Sequence, residues 1–366
     1  MTEQGLCRPD DVRRVGARTT TTDPPKTTED LNCDRRATTV ASGWRAMRRR
    51  ILTPSTSEAD LSVRGFHEKT PEARQMLETV GRTFLTGYGL AAEARLPADA
   101  EQRLEELPWQ IRGFAYEGAA MGFAIRDALP FGGNHLKGFL QGRASNHVYM
   151  VYVGVGLALA RMPRIRWAKG AVAAEDPVLR WLVLDGYGFH QGYFHTDHYV
   201  RQQYREPNFP WPIGAPSGYA DRVIDQGLGR AIWFVSGTDP ERAADLIDAF
   251  DQARHPDLYA GVGLAATYAG GVDEHELRVL IERAGRYQPE LAQGSVFAAA
   301  ARYEADLVTP HTLLAADMLC GLTPQQASAL AAQTRVGLSD DGAVPSYELW
   351  RHRIASEVGE LRRGAS

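Results

Sequence analysis

The chain has 366 residues, 44% hydrophobic and 23% charged, with a formal net charge of -4 and a pI near 6.2. Such a composition is that of a globular protein with a sizeable core and excludes fibrous and acidic disordered chains. The acidic balance lacks the basic footprint of a nucleic-acid binder, and three widely spaced cysteines, Cys7, Cys33 and Cys320, encode neither a disulfide framework nor a cysteine zinc site.

In chain order, residues 1–45 carry a Thr, Asp and Pro bias with almost no periodic apolar pattern. A disordered tail is expected there, ahead of a single helical-repeat domain over 46–366. The opening MTEQGLCRPDDVRR has no apolar signal core, and the longest apolar run, Val148 to Ala160, is too short to cross a bilayer as a helix. A cytoplasmic protein is expected. The first helix spans Thr70 to Leu90, where Met76, Leu77, Val80, Phe84 and Leu85 recur at helical spacing after a Thr-Pro start. A second opens at Pro97 and leads towards Trp109, Ile111 and Phe114.

From there the sequence repeats. EGAAMGFAI, VGVGLALAR, DGYGFHQGY, QGLGRAIWF, AGVGLAATY and QGSVFAAAA share a glycine followed by small and apolar residues. With Gly118, Gly154, Gly188, Gly227, Gly261 and Gly294 as markers, the steps are 36, 34, 39, 34 and 33 residues. Second helices start between markers at Asp239-Pro240, Asp273-Glu274, Thr309-Pro310 and Thr323-Pro324. The pattern predicts an all-α fold, a solenoid of the tetratricopeptide kind with about six helix pairs of roughly 35 residues. Gly-x-x-x-small pairs such as Gly118/Gly122 and Gly154/Ala158 put small residues on one helix face, so that backbones can approach.

One segment, DGYGFHQGYFHTDHYV from Asp185 to Val200, breaks the rule by placing His190 where its counterparts are small in either alignment of the glycines. An imidazole on a packed face needs partners or a cavity, and a local rule broken without local gain marks a functional candidate. His190, His195, Asp185, Asp197, Tyr187 and Tyr193 are therefore candidate acid–base or positioning residues, and Glu117, on an otherwise apolar helix, is a further pocket carboxylate. Phe189, Phe194, Phe209 and Trp211 are candidate walls for an apolar ligand, the last two within the proline-rich loop Tyr204 to Ala220, read as a lid. His195-Thr196-Asp197 with His190 also has the look of a two-histidine, one-carboxylate metal site. Plainer readings stand beside these: Asp185 and Glu117 suit helix starts, His190 a buried hydrogen-bonded imidazole, and His198 an exposed helix end.

Five stretches in order, RGFAYEGAAMGFAIRDAL, HVYMVYVGVGLALARMP, RWLVLDGYGFHQGYFH, GLGRAIWFVSG and DLYAGVGLAATYAGG, resemble the domain of unknown function 1702 family found in enediyne biosynthesis gene clusters. The likeness runs from about Arg48 to near Arg335. It implies a part in turning the polyene product of an iterative enediyne polyketide synthase into the enediyne core, with that synthase and a membrane protein resembling an electron-transport subunit as partners. It implies a protein peripheral to the membrane through such a partner, and it carries no established catalytic residues. Two functions follow as expectations: an enzyme acting on, or a pocket binding, the polyene, or a non-catalytic scaffold docking the synthase or the membrane partner.

Overall fold

A computed structural model describes residues 43–365 apart from 44, 52, 131, 171–173, 212–217 and 340–342. The expected tail, with Cys7 and Cys33, lies outside these residues except at its last positions, as does the middle of the expected lid. Residues 45–366 group into one compact unit.

Among the described residues the unit is all helical. From residue 70 on, its helices of six residues or more are α1 (Pro71–Glu93), α2 (Pro97–Glu105), α3 (Trp109–Ala128), α4 (His135–Leu140), α5 (Val148–Arg161), α6 (Leu182–Phe194) and α7 (Tyr219–Val235). They continue as α8 (Pro240–Asp248), α9 (His255–Tyr268), α10 (Glu274–Ala284), α11 (Gln288–Glu304), α12 (Pro310–Cys320), α13 (Pro324–Arg335) and α14 (Ser346–Ala365). The starts use the chemistry read in the sequence. The side chains of Thr70, Asp239, Asp273, Thr309 and Thr323 each accept from a backbone N–H one turn on, four of them ahead of a proline in the first turn. Each such cap contributes about 1 kcal/mol to its helix.

The glycine helices pack on one another in chain order, α1 on α3, then α5, α6, α7, α9 and α11, with the glycine-free α13 following, while α8, α10 and α12 form an outer layer. The helix-pair pattern is regular from α7 to α12. Among the described residues, α5 is followed by the short turns Arg164–Arg166, Trp167–Gly170 and Leu179–Trp181, and α6 by one wide turn, Asp197–Arg201.

The glycines explain the closeness of the ladder. A Cβ at Gly154 would stand 2.2 Å from the Glu117 carbonyl oxygen, at Gly186 2.0 Å from that of Val153, at Gly227 2.0 Å from that of Asp185, and at Gly261 1.9 Å from that of Gln226. Two residues later the second glycine meets the following helix: Gly156 meets Val183, Gly188 meets Ile224, Gly229 meets Leu258 and Gly263 meets Leu291, all at backbone oxygens. Residues i and i+2 lie about 200° apart on a helix, so one Gly-x-Gly clears both flanks. The expected Gly-x-x-x-small pairing operates in α3, where Gly118 and Gly122 both face α1, and in α6, where Gly188 and Gly192 both face α7. From α5 to α9 a Gly-x-Gly unit works as well. This also fixes the alignment: Gly186, not Gly188, corresponds to Gly154 and Gly227, and His190 takes the fourth, small-residue position.

The amino-terminal half of α14 packs across the ladder. Trp350 lies 4.5 Å from the Phe297 ring and 6.4 Å from Tyr149, centroid to centroid, and its indole donates to the Ala331 carbonyl at 2.8 Å. Arg351 pairs with Asp257 at 2.7 Å and with Glu348 at 3.4 Å, and Arg222 reaches Asp257 at 3.0 Å and also Glu348. Burial alone would raise the Glu348 carboxyl. The His352 hydrogen bond and the Arg351 and Arg222 charges outweigh it and hold the group at about 2.

Candidate functional site

Within the ladder a narrow slot opens between the segment before α1 and helices α1, α3, α5, α6, α7 and α9, with about 690 Å³ of empty space, mouth included. Its walls are aromatic and aliphatic: Phe84 and Leu85 from α1, Phe114 from α3, Phe189, Tyr193 and Phe194 from α6, Phe234 from α7 and Tyr268 from α9. Leu157, Phe189, Arg230 and Leu264 all line it and all sit one residue after the second glycine of their Gly-x-Gly. One repeat position thus faces the slot from four successive glycine helices, α5, α6, α7 and α9.

Three charged side chains interrupt this apolar lining, half-buried Glu58 and, buried at its inner end, Glu117 and Arg230. The Arg230 guanidinium lies 3.5 Å from Glu117, pairs closely with Asp185, and stands 4.9 Å over the Phe189 ring. Asp185, fully buried, also accepts from the Gln226 amide at 2.7 Å, and that amide donates on to the Tyr347 hydroxyl at 3.0 Å. Glu117, Asp185 and Gln226 each occupy the position before a first glycine, so a second repeat position supplies this polar network. Two carboxylates share one cation here. Burial, reinforced by the Asp185 charge and opposed by Arg230, lifts the Glu117 carboxyl to about 7. Such a group can give or take a proton at neutral pH, and it faces a space shaped for an apolar molecule.

The residues expected from the sequence divide between two faces of α6. Phe189, Tyr193 and Phe194 line the slot, Glu117 stands at its inner end, and Asp185 lies behind Arg230. Tyr187 points elsewhere: it packs on Phe209 at 5.0 Å and Trp167 at 5.6 Å, and its hydroxyl accepts from the Gln191 amide at 2.9 Å. Phe209 and Trp211 are half-buried against the core, outside the slot lining. His190 is buried beside Phe194, 4.6 Å between ring centroids, with Nδ1 3.4 Å from the Gln191 side-chain oxygen. Burial, against that hydrogen bond, lowers its pKa to about 3, so the imidazole is uncharged throughout the neutral range.

The expected metal set does not converge. His195 is exposed with its ring 6.0 Å from that of His190, while Asp197 is 76% exposed and turned to Arg201 at 2.6 Å. The reason is local: α6 ends at Phe194, and the wide turn that follows carries Asp197 away from the packed face. Among the described residues no group of three or more His, Cys, Asp or Glu side chains is placed to hold a metal ion. His135 and His147 have partners too. His135 sits 2.7 Å from Asp127, and His147 is buried, stacked 3.8 Å from Tyr116.

Sequence reasoning missed Arg230. Its signal was present, a charged residue within GLGRAIWF at a position that is Leu157, Phe189 or Leu264 in the neighbouring repeats.

Among the described residues no helix is long and apolar enough to cross a membrane. No curated protein and no solved structure matches the chain. The profile of a family described as protein of unknown function (DUF1702) matches residues 43–358, the greater part of the sequence. The chain that builds this slot therefore belongs to the DUF1702 family.

Proposed function

We propose that this protein holds an elongated, apolar, unsaturated molecule in the slot and presents it to Glu117. The observation that carries the reading is a buried carboxyl, Glu117, backed by Arg230 and Asp185 at the end of a narrow aromatic-walled space, where burial pushes its pKa up. Stacked and edge-on rings suit a flat conjugated chain, and a carboxyl held off full ionisation in apolar surroundings suits proton transfer to or from it. The resemblance to proteins of enediyne clusters makes the polyene product of an iterative polyketide synthase the substrate class of choice. The ladder of glycine helices is in keeping with a solenoid of the tetratricopeptide kind, with the slot on its inner face. The synthase and a membrane redox protein are proposed as suppliers or acceptors of the chain.

The test uses a linear conjugated tetraene whose fluorescence rises on leaving water. Saturable enhancement is expected with the wild-type protein and is lost in Leu264→Trp, which fills the slot, at unchanged helical content. No saturable binding to the wild type would sink the reading. In a strain whose own copy is deleted, Glu117→Gln should abolish the polyene-derived product while the synthase is still captured; normal product would leave docking as the function.

A further inference from the structure

A second pocket lies outside the slot and shares a wall with it. It has about 820 Å³ of empty space, mouth included, between the starts of α1 and α3, the end of α9 and the junction of α11 with α12. Val80, Phe114, Tyr268 and Ala269 line both spaces. Phe114 and Tyr268 meet edge to face at 5.2 Å and 87°, so this pair divides inner slot from outer pocket. Glu72, Gln75 and Gln110 are exposed at the outer rim.

The dividing wall carries polar atoms without partners. Tyr268 is 4% exposed and its hydroxyl makes no hydrogen bond; Arg302, 3% exposed, has no partner at Nε. The other Arg302 nitrogens donate to the Gln110, Leu307 and Tyr268 carbonyls at 2.6, 3.1 and 2.6 Å, and the guanidinium lies 4.2 Å over the Tyr268 ring. Among the described residues no carboxylate pairs with it. A buried cation compensated only by carbonyls and a ring face, beside an unused hydroxyl, is an arrangement that an anion completes.

We infer that the outer pocket seats the anionic end, a carboxylate, of the elongated apolar molecule whose chain occupies the inner slot, with Arg302 and the Tyr268 hydroxyl as its holders. This rests on the slot reading above and fixes the direction of the ligand. At the inner end the one cation, Arg230, is already shared by Glu117 and Asp185, so a third carboxylate there would find no free partner, and the acid end points outward. A phosphate dianion would need more positive charge than one arginine supplies, beside a rim carrying Glu72.

The experiment compares the linear tetraene acid with its methyl ester on the full chain. The acid should bind the wild type about tenfold tighter, the worth of one charge-assisted hydrogen bond. Tyr268→Phe, which removes only the unpartnered hydroxyl, should weaken the acid about threefold and leave the ester unchanged. Arg302→Gln should erase the preference. Since Arg302 also ties backbone together, Tyr268→Phe stands alone if Arg302→Gln fails to fold. Equal affinity of acid and ester in the wild type overturns the inference while leaving the slot reading intact, and so does an acid preference untouched by either variant or an equal loss for both probes in Tyr268→Phe. Binding of neither probe overturns the slot reading, and this inference with it.

Discussion

A carboxyl inside an aromatic slot avoids a bare charge by finding a cation or by keeping its proton, and Glu117 does some of each. Its pKa is raised from 4.5 to about 7, so the folded chain holds a proton that the unfolded chain releases. The stability this contributes is fully present below pH 4.5 and is lost as the pH rises through about 7, a difference of about 3 kcal/mol. Glu117→Gln, which mimics the protonated form, is expected to be more stable than wild type by about that amount at pH 8, with the gap closing towards pH 4.5 in urea titrations. An unchanged or lowered stability at pH 8 would show that the Arg230 pair, not burial, governs the group. His190 is the opposite case. It breaks the repeat on the same helix, yet Phe189 turns into the slot and His190, about 100° on, does not line it.

At the scale of the helix, the Gly-x-Gly unit assigns fixed tasks to neighbouring positions. The residue before it lends its carbonyl to the next glycine and, where polar, its side chain to the network of Glu117, Asp185 and Gln226; the residue after it faces the slot. A methyl group at Gly227 would sit 2.0 Å from the Asp185 carbonyl oxygen, and the α6 backbone it meets cannot yield. Gly227→Ala is expected to cost about 3 kcal/mol and to lower tetraene binding with it. Gly359, within α14, has nothing nearer than the flexible end of Arg363 at 3.6 Å. There the same substitution should stabilise, by up to about 1 kcal/mol of helix propensity, so the two melting curves should move in opposite directions. A matching loss at both sites would mean that helix propensity and contact play no part in the difference.

For the whole unit, α14 ties together parts of the chain distant in sequence: Tyr219 donates to Glu348 at 2.9 Å, Gln293 accepts from Arg351 at 3.1 Å, and Trp350 fills the space between α11 and α5. Glu348 is held at about 2 against 4.5, so its contribution, about 3 kcal/mol, is present above pH 4.5 and lost as the pH falls through about 2. Glu348→Gln should cost about that much at pH 7 and progressively less as the wild type is acidified, measured by denaturant unfolding; a pH-independent difference would mean the pairs with Arg222 and Arg351 do not set it. The sequence by itself determined the helical class, the caps, the repeat of glycine helices and, within it, Glu117, Asp185, Phe189, Tyr193 and Phe194, because helical periodicity, capping and the cost of glycine are local. Only the tertiary structure decided that Arg230 sits between the two carboxylates, that His195 and Asp197 turn to the surface, and that Tyr268 and Arg302 meet at a second pocket. Those outcomes depend on which face each helix gives to neighbours far away in the chain, and on burial, which no local pattern encodes.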